Sequence, residues 1–245
     1  MKYLIILLLS SFTLTNTVYG QEFNKAINKD SLLQTILKDL PEPKKSELLK
    51  IYNEGNDQSK EFLLIMFSMP RSSRKELISN IDSNFDKISL LKTSYLKLVP
   101  KDYIVSIEFN PADNIASTKE SIDLKIEHIN NKERDFKQEW NLEYNSKKLA
   151  QMIKPLGWTN TTLTTIKKLL EDAKCVSIEN GDITTVGFAR SGMGKYSFKL
   201  FDKDLSNEQI KEYNDGCMYI FHEKNIVLEY GGGAVGSLCF PDSPN

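Results

Sequence analysis

The sequence predicts an α+β protein, with an N-terminal helical region carrying a small antiparallel sheet, then a C-terminal αβββαββ unit with an antiparallel sheet. Three observations predict it. Apolar residues recur at helical spacing through most of residues 32–98. The pattern changes to strict alternation after Pro100. Beyond Pro155, short alternating runs follow one another across Asn-Gly and glycine-rich turns.

In chain order, Leu32, Leu33, Ile36, Leu37 and Leu40 make the apolar face of a first helix, stopped by Pro41 and Pro43. Lys44 to Glu54 forms a second, ended by Gly55. Glu61 to Met69 is apolar on every side from Phe62 to Phe67, which predicts a buried helix before Pro70. Ser73 and Glu76 form a capping box, in which hydroxyl and carboxylate satisfy otherwise unpaired amides. The helix they start carries Leu77, Ile81, Phe85, Ile88, Leu91, Tyr95 and Leu98, can break near Ser83 and Asn84, and ends before Pro100.

Tyr103, Val105, Ile107 and Phe109 alternate with polar residues, as do Ile122, Leu124, Ile126 and His128, so two half-buried strands follow. Asn130 to Lys137 reads as a solvated charge run, and a third strand is expected at Trp140, Leu142 and Tyr144. Ser146 caps a helix to Ile153, Pro155 and Gly157 interrupt, and Leu163 to Leu170 forms the next helix. Strands are then expected at Cys175 to Ile178, Ile183 to Phe188 and Tyr196 to Phe201, the first two joined by Asn180 and Gly181. Ser206 and Gln209 cap a short helix to Tyr213, and Met218 to Phe221 and Ile226 to Tyr230 close the sheet.

Lys2 followed by the apolar run Leu4 to Leu9, with Val18 and Gly20 as small residues, reads as a secretory signal over residues 1–20. The apolar part is shorter than the roughly 20 residues a spanning helix needs, so no stable membrane insertion is expected after cleavage. The expected organisation is then 21–155, a helical and three-stranded region, and 156–245, a C-terminal α+β sheet domain. Lys and Arg number 32 against 33 Asp and Glu, and this near-zero balance excludes a dedicated nucleic-acid binder. The expected location is secreted or periplasmic. There, three cysteines default to one bridge, and the short return through the glycine-rich tail favours Cys217 with Cys239 over Cys175 with Cys239.

Motifs for chemistry fail on inspection. Gly231 to Gly236 match G-x-G-x-x-G, but the chain ends nine residues later, without the helix and strand a dinucleotide needs. No H-E-x-x-H or C-x-x-C exists, and Asp202, Asp204, Ser206 and Glu208 fit helix capping better than a calcium loop. No cofactor or metal is expected. Arg190, Ser191, Gly192, Met193, Gly194 and Lys195 resemble a phosphate cradle, yet Ala189 and Tyr196 stand where the motif requires glycine and a hydroxyl residue. What remains is a tight turn with two cations and a methionine, suited to anion or protein contact, from which both cations could be removed at little cost in stability. Trp140, Trp158 and Tyr144 are weighed as an aromatic platform against ordinary core residues. The reading is an exported, non-catalytic module that binds another protein, of the inhibitor, immunity or envelope-assembly type. The alternative is a secreted hydrolase using dispersed carboxylates or a Cys and His pair.

Overall fold

A computed structural model describes residues 23–38, 40–116, 118–129, 134–231 and 238–241. The signal expected over residues 1–20 and Gly232 to Gly236 of the glycine run lie outside the described residues. The fold is α+β. In chain order it comprises α1 (Lys29–Lys38), α2 (Glu42–Glu54), α3 (Asp57–Ser68), α4 (Arg74–Leu98), β1 (Tyr103–Asn110), β2 (Ser121–Ile129), β3 (Arg134–Glu143), α5 (Lys147–Ile153), α6 (Asn160–Asp172), β4 (Ser177–Glu179), β5 (Thr184–Ser191), β6 (Gly194–Leu200), α7 (Asn207–Glu212), β7 (Tyr219–Glu223) and β8 (Ile226–Gly231). All eight strands form one antiparallel sheet in the order β3-β2-β1-β4-β5-β6-β8-β7. It continues across the Pro155–Gly157 interruption, because β1 pairs with β4.

Alternation decides which face is covered. Val105, Ile107, Ile122, Leu124, Ile178, Val186, Phe198 and Leu228 point to one side and are buried with α4, α5 and α6. The capping box of Ser73 and Glu76 starts α4. Asn84 breaks its helical geometry, and the chain bends there. Two buried amides occupy the bend: Asn84 Nδ2 donates to Asn80 Oδ1 at 2.8 Å, and Asn80 Nδ2 donates to the Ala173 carbonyl at 3.3 Å beyond α6. After the bend Ile88, Leu91 and Tyr95 stay buried while Phe85 turns outward. Trp158 belongs to this core, its indole N–H donating to the Leu98 carbonyl at 2.8 Å.

Two smaller clusters flank the main core. Phe201, Leu205 and Val227 pack with residues around α7 on the opposite face of the sheet. The helices α1 to α3 enclose Leu33, Leu37, Leu48, Tyr52 and Leu64, and reach the β1–β2 loop through Asn24, whose N–H donates to the Ile115 carbonyl at 2.7 Å. The burial expected for Phe62 to Phe67 is corrected here. Only Leu64 of that run is fully buried and Phe62 is exposed, because three short helices have too little surface to enclose an all-apolar segment.

Cys217 and Cys239 form a disulfide. The returning segment also places Phe240 in the core against Tyr196 and Tyr230, and its N–H donates to the Cys217 carbonyl at 2.8 Å. Cys175 is free and buried. Among the described residues no helix is long and apolar enough to cross a membrane.

Candidate binding surface

The turn that the sequence singles out is a β-hairpin tip between β5 and β6. Gly192 takes the left-handed conformation that such a tip needs, with φ 60°. Its N–H donates to the Pro70 carbonyl at 2.9 Å, while Ser191 Oγ donates to the Ser72 carbonyl at 3.0 Å. The tip is thus fastened to the link between α3 and α4, and Met193 is half-buried.

The two cations leave the tip and run along the face of the sheet opposite α4, α5 and α6. Arg190 Nε donates to Glu108 Oε1 at 2.6 Å, and Lys195 Nζ donates to Glu108 Oε2 at 3.1 Å and to Ser177 Oγ at 3.0 Å. Arg190 also lies 3.6 Å from Asp123. Glu108 keeps only 9% of its side chain exposed. Burial pushes its carboxyl up, but the Lys195 and Arg190 charges and hydrogen bonds outweigh this and hold it below the usual carboxylate range. The space exists because position 187 is glycine, where a Cβ would collide with Ser177 Oγ and meet the Lys195 stem at 3.0 Å. Against the expectation that both cations could be removed at little cost, removing them would strand a buried carboxylate.

The other reactive groups are equally committed. Burial pushes the Cys175 thiol up to about 12, and its polar contacts are the Ala173 carbonyl and the Asn80 amide. His222 pairs with Asp82 at 2.9 Å and His128 packs on Tyr103, so the thiol has no imidazole among its contacts. A cleft of about 200 Å³ is lined by Phe109, Tyr144, Lys167, Leu170 and Cys175, with Glu120 and Glu171 at its side. Both carboxylates lie on the single cation Lys167, at 2.8 Å and 3.8 Å. Among the described residues, no cluster of three His, Cys, Asp or Glu side chains could hold a metal. The acidic row from Asp202 is spent locally, as Asp202 pairs with Lys92 and Ser206 caps α7.

The surface left open lies at the β3 edge. The charge run read as solvated loop is strand from Arg134 onward, because its residues alternate in register with β2. Glu139 sits opposite Leu124 on the helix side, which places Phe136, Gln138 and Trp140 on the uncovered side. Trp140 is 62% exposed, and Phe136 and Ile129 are each 51% exposed. Ile129 shares their face through its pairing with Arg134. Lys125 of β2 holds its ammonium 5.6 Å from the Phe136 ring and pairs with Glu179 at 3.8 Å, linking the aromatic patch to the charged band that ends at Arg190 and Lys195.

The aromatic trio of the sequence is therefore dispersed. Trp158 is in the core, Tyr144 stacks on Phe109 beside the cleft, and Trp140 faces solvent. Phe136 was legible only as the start of an alternation, Phe136, Gln138, Trp140, hidden by its charged neighbours. The chain matches no family model, no curated protein and no solved structure.

Proposed function

We propose that the protein is an exported, non-catalytic module that binds another polypeptide through the uncovered face beside β3. The observation that carries this reading is the exposure, on one face of the sheet, of Phe136 and Trp140 on the edge strand β3 and of Ile129 at the end of the adjoining β2. A large apolar side chain left singly on a surface is ordinary, but an aromatic pair on an unpaired strand edge costs solubility unless a partner covers it. Aromatic side chains are enriched at protein interfaces, and tryptophan is among those that carry most binding energy there. The commitment of Glu108, Cys175, Glu120 and Glu171 to internal contacts supports a non-catalytic role. Export to the periplasm or beyond is supported by the N-terminal apolar run and by the disulfide.

A photoreactive residue placed at 136 or 140, in the full chain produced in its own organism, tests the reading. It should yield one discrete adduct with a different polypeptide, and the same substitution at Leu90, exposed on α4, should not. Adducts that are equal at all three positions, or none with another protein at 136 and 140, would overturn it.

A further inference from the structure

We infer that the free edge of β3 pairs with β3 of a second copy of this chain, antiparallel about a two-fold axis at Gln138. The inference rests on the reading of this surface as a binding surface, and assigns its backbone edge to a named occupant. Among the described residues β3 is the last strand of the sheet, and one row of its N–H and C=O groups has no strand partner there. In an antiparallel pair, residues that face each other point to the same side of the sheet, and this restricts a symmetric pairing to axes that pass through a residue.

The side chains choose among those axes. With the axis at Gln138, Phe136 lies opposite Trp140 of the second copy and Trp140 opposite its Phe136, both on the uncovered face. On the helix side, Lys137 then lies opposite Glu139 of the second copy, and Glu139 opposite its Lys137. An axis at Lys137 would place lysine opposite lysine and Asp135 opposite Glu139, and an axis at Glu139 would place glutamate opposite glutamate. An axis at Phe136 avoids like charges but leaves both Trp140 rings outside the pairing.

Charges along an edge strand commonly prevent such pairing, and Asp135, Lys137 and Glu139 are placed to do so. In the Gln138 register they cancel instead. Within one copy Lys137 lies 3.5 Å from Asp135 and Glu139 lies 2.6 Å from Lys148, so the helix-side row already alternates in sign and meets its own complement when rotated by 180°. The bulge at Asn141, where φ is 54°, ends the pairing beyond Trp140. The resulting assembly joins the two aromatic patches at the centre of one sheet, leaving their outer rims for another polypeptide.

Sedimentation equilibrium of the purified chain over a concentration series tests this. The wild type should show a monomer and dimer equilibrium. Lys137→Glu and Glu139→Lys should each weaken dimerisation about tenfold, because each sets like charges opposite one another twice. An equimolar mixture of the two variants should recover the wild-type dimer, since the all-acidic pair of positions 137 and 139 in one chain then faces the all-basic pair in the other. Circular dichroism of each variant distinguishes lost pairing from lost folding, and the mixture rescue is beyond the reach of misfolded chains. A wild type that is monomeric throughout, a dimer indifferent to either reversal, or a mixture no better than its components would overturn the inference. None of these results bears on adducts with a different polypeptide at 136 and 140, so the two readings fail separately.

Discussion

The β5–β6 hairpin and the β3 edge lie on the same face of one sheet and use their charges in opposite ways. At the hairpin, Arg190 and Lys195 look like an exposed cationic site but close on Glu108, a carboxylate from another strand. At the edge, the run from Asn130 to Lys137 looks like solvated loop, but from Arg134 onward strand alternation separates the charges from Phe136 and Trp140. The difference teaches that a charged motif acquires its meaning from the register of the sheet. Cations opposite a buried acid hold the fold together, whereas charges that share a strand with outward aromatics define what can approach it.

The largest effect should come from Arg190→Ala combined with Lys195→Ala. Removing both partners of a nearly buried carboxylate should cost about 3–5 kcal/mol of unfolding free energy in urea denaturation. The loss should shrink in acid, where the stranded Glu108 can take up a proton. A change below about 1 kcal/mol, by the scale of ordinary surface substitutions, would return the hairpin to the class of open binding turns.

Gly187→Ala sharpens the same point with a single methyl group. It collides with Ser177 Oγ and presses on Lys195, and overpacking of this kind should cost about 1–3 kcal/mol by the same measurement.

The pH dependence of stability is a third test. Because the Glu108 pKa is lowered in the folded protein, its contribution is fully present above the ordinary glutamate value of about 4.3 and is lost as pH falls through the folded value. Wild-type stability should therefore fall on acidification below about pH 4.3, and Glu108→Gln should flatten that limb. An unchanged acid limb in Glu108→Gln would show that other carboxylates carry it.

The smallest effect on stability belongs to the edge. Phe136→Ala and Trp140→Ala should each change the unfolding free energy of the monomer, measured at a concentration where it does not pair, by no more than about 0.5 kcal/mol, since within one copy both side chains are more than half exposed. A large loss would mean that the rings support the fold and would dissolve the contrast.

Much of this architecture was legible because its signals are local. Ser73 with Glu76 and Ser206 with Gln209 make the capping boxes that their spacing predicts, and the αβββαββ order after Pro155 follows from turns of a few residues. The Cys217–Cys239 pairing was legible because a short glycine-rich return leaves few alternatives. The candidate site was not, and the reason is physical. Glu108 is far from Arg190 in sequence, and nothing local to either residue records that β1 and β5 flank β4. The strand character of Arg134 to Glu139 depends on pairing with β2, which overrides a composition that favours a loop. The all-round apolar character of Phe62 to Phe67 likewise overstated its burial, since burial depends on how much neighbouring surface is available to cover a helix.

The most direct test of the contrast is to place the same photoreactive residue at Trp140 in one chain and at Met193 of the hairpin tip in another, and to compare their adducts in the organism that makes the protein. A discrete adduct with a different polypeptide is expected from position 140 and none from position 193. An adduct from position 193 with none from position 140 would contradict the contrast, and would make the hairpin the binding site.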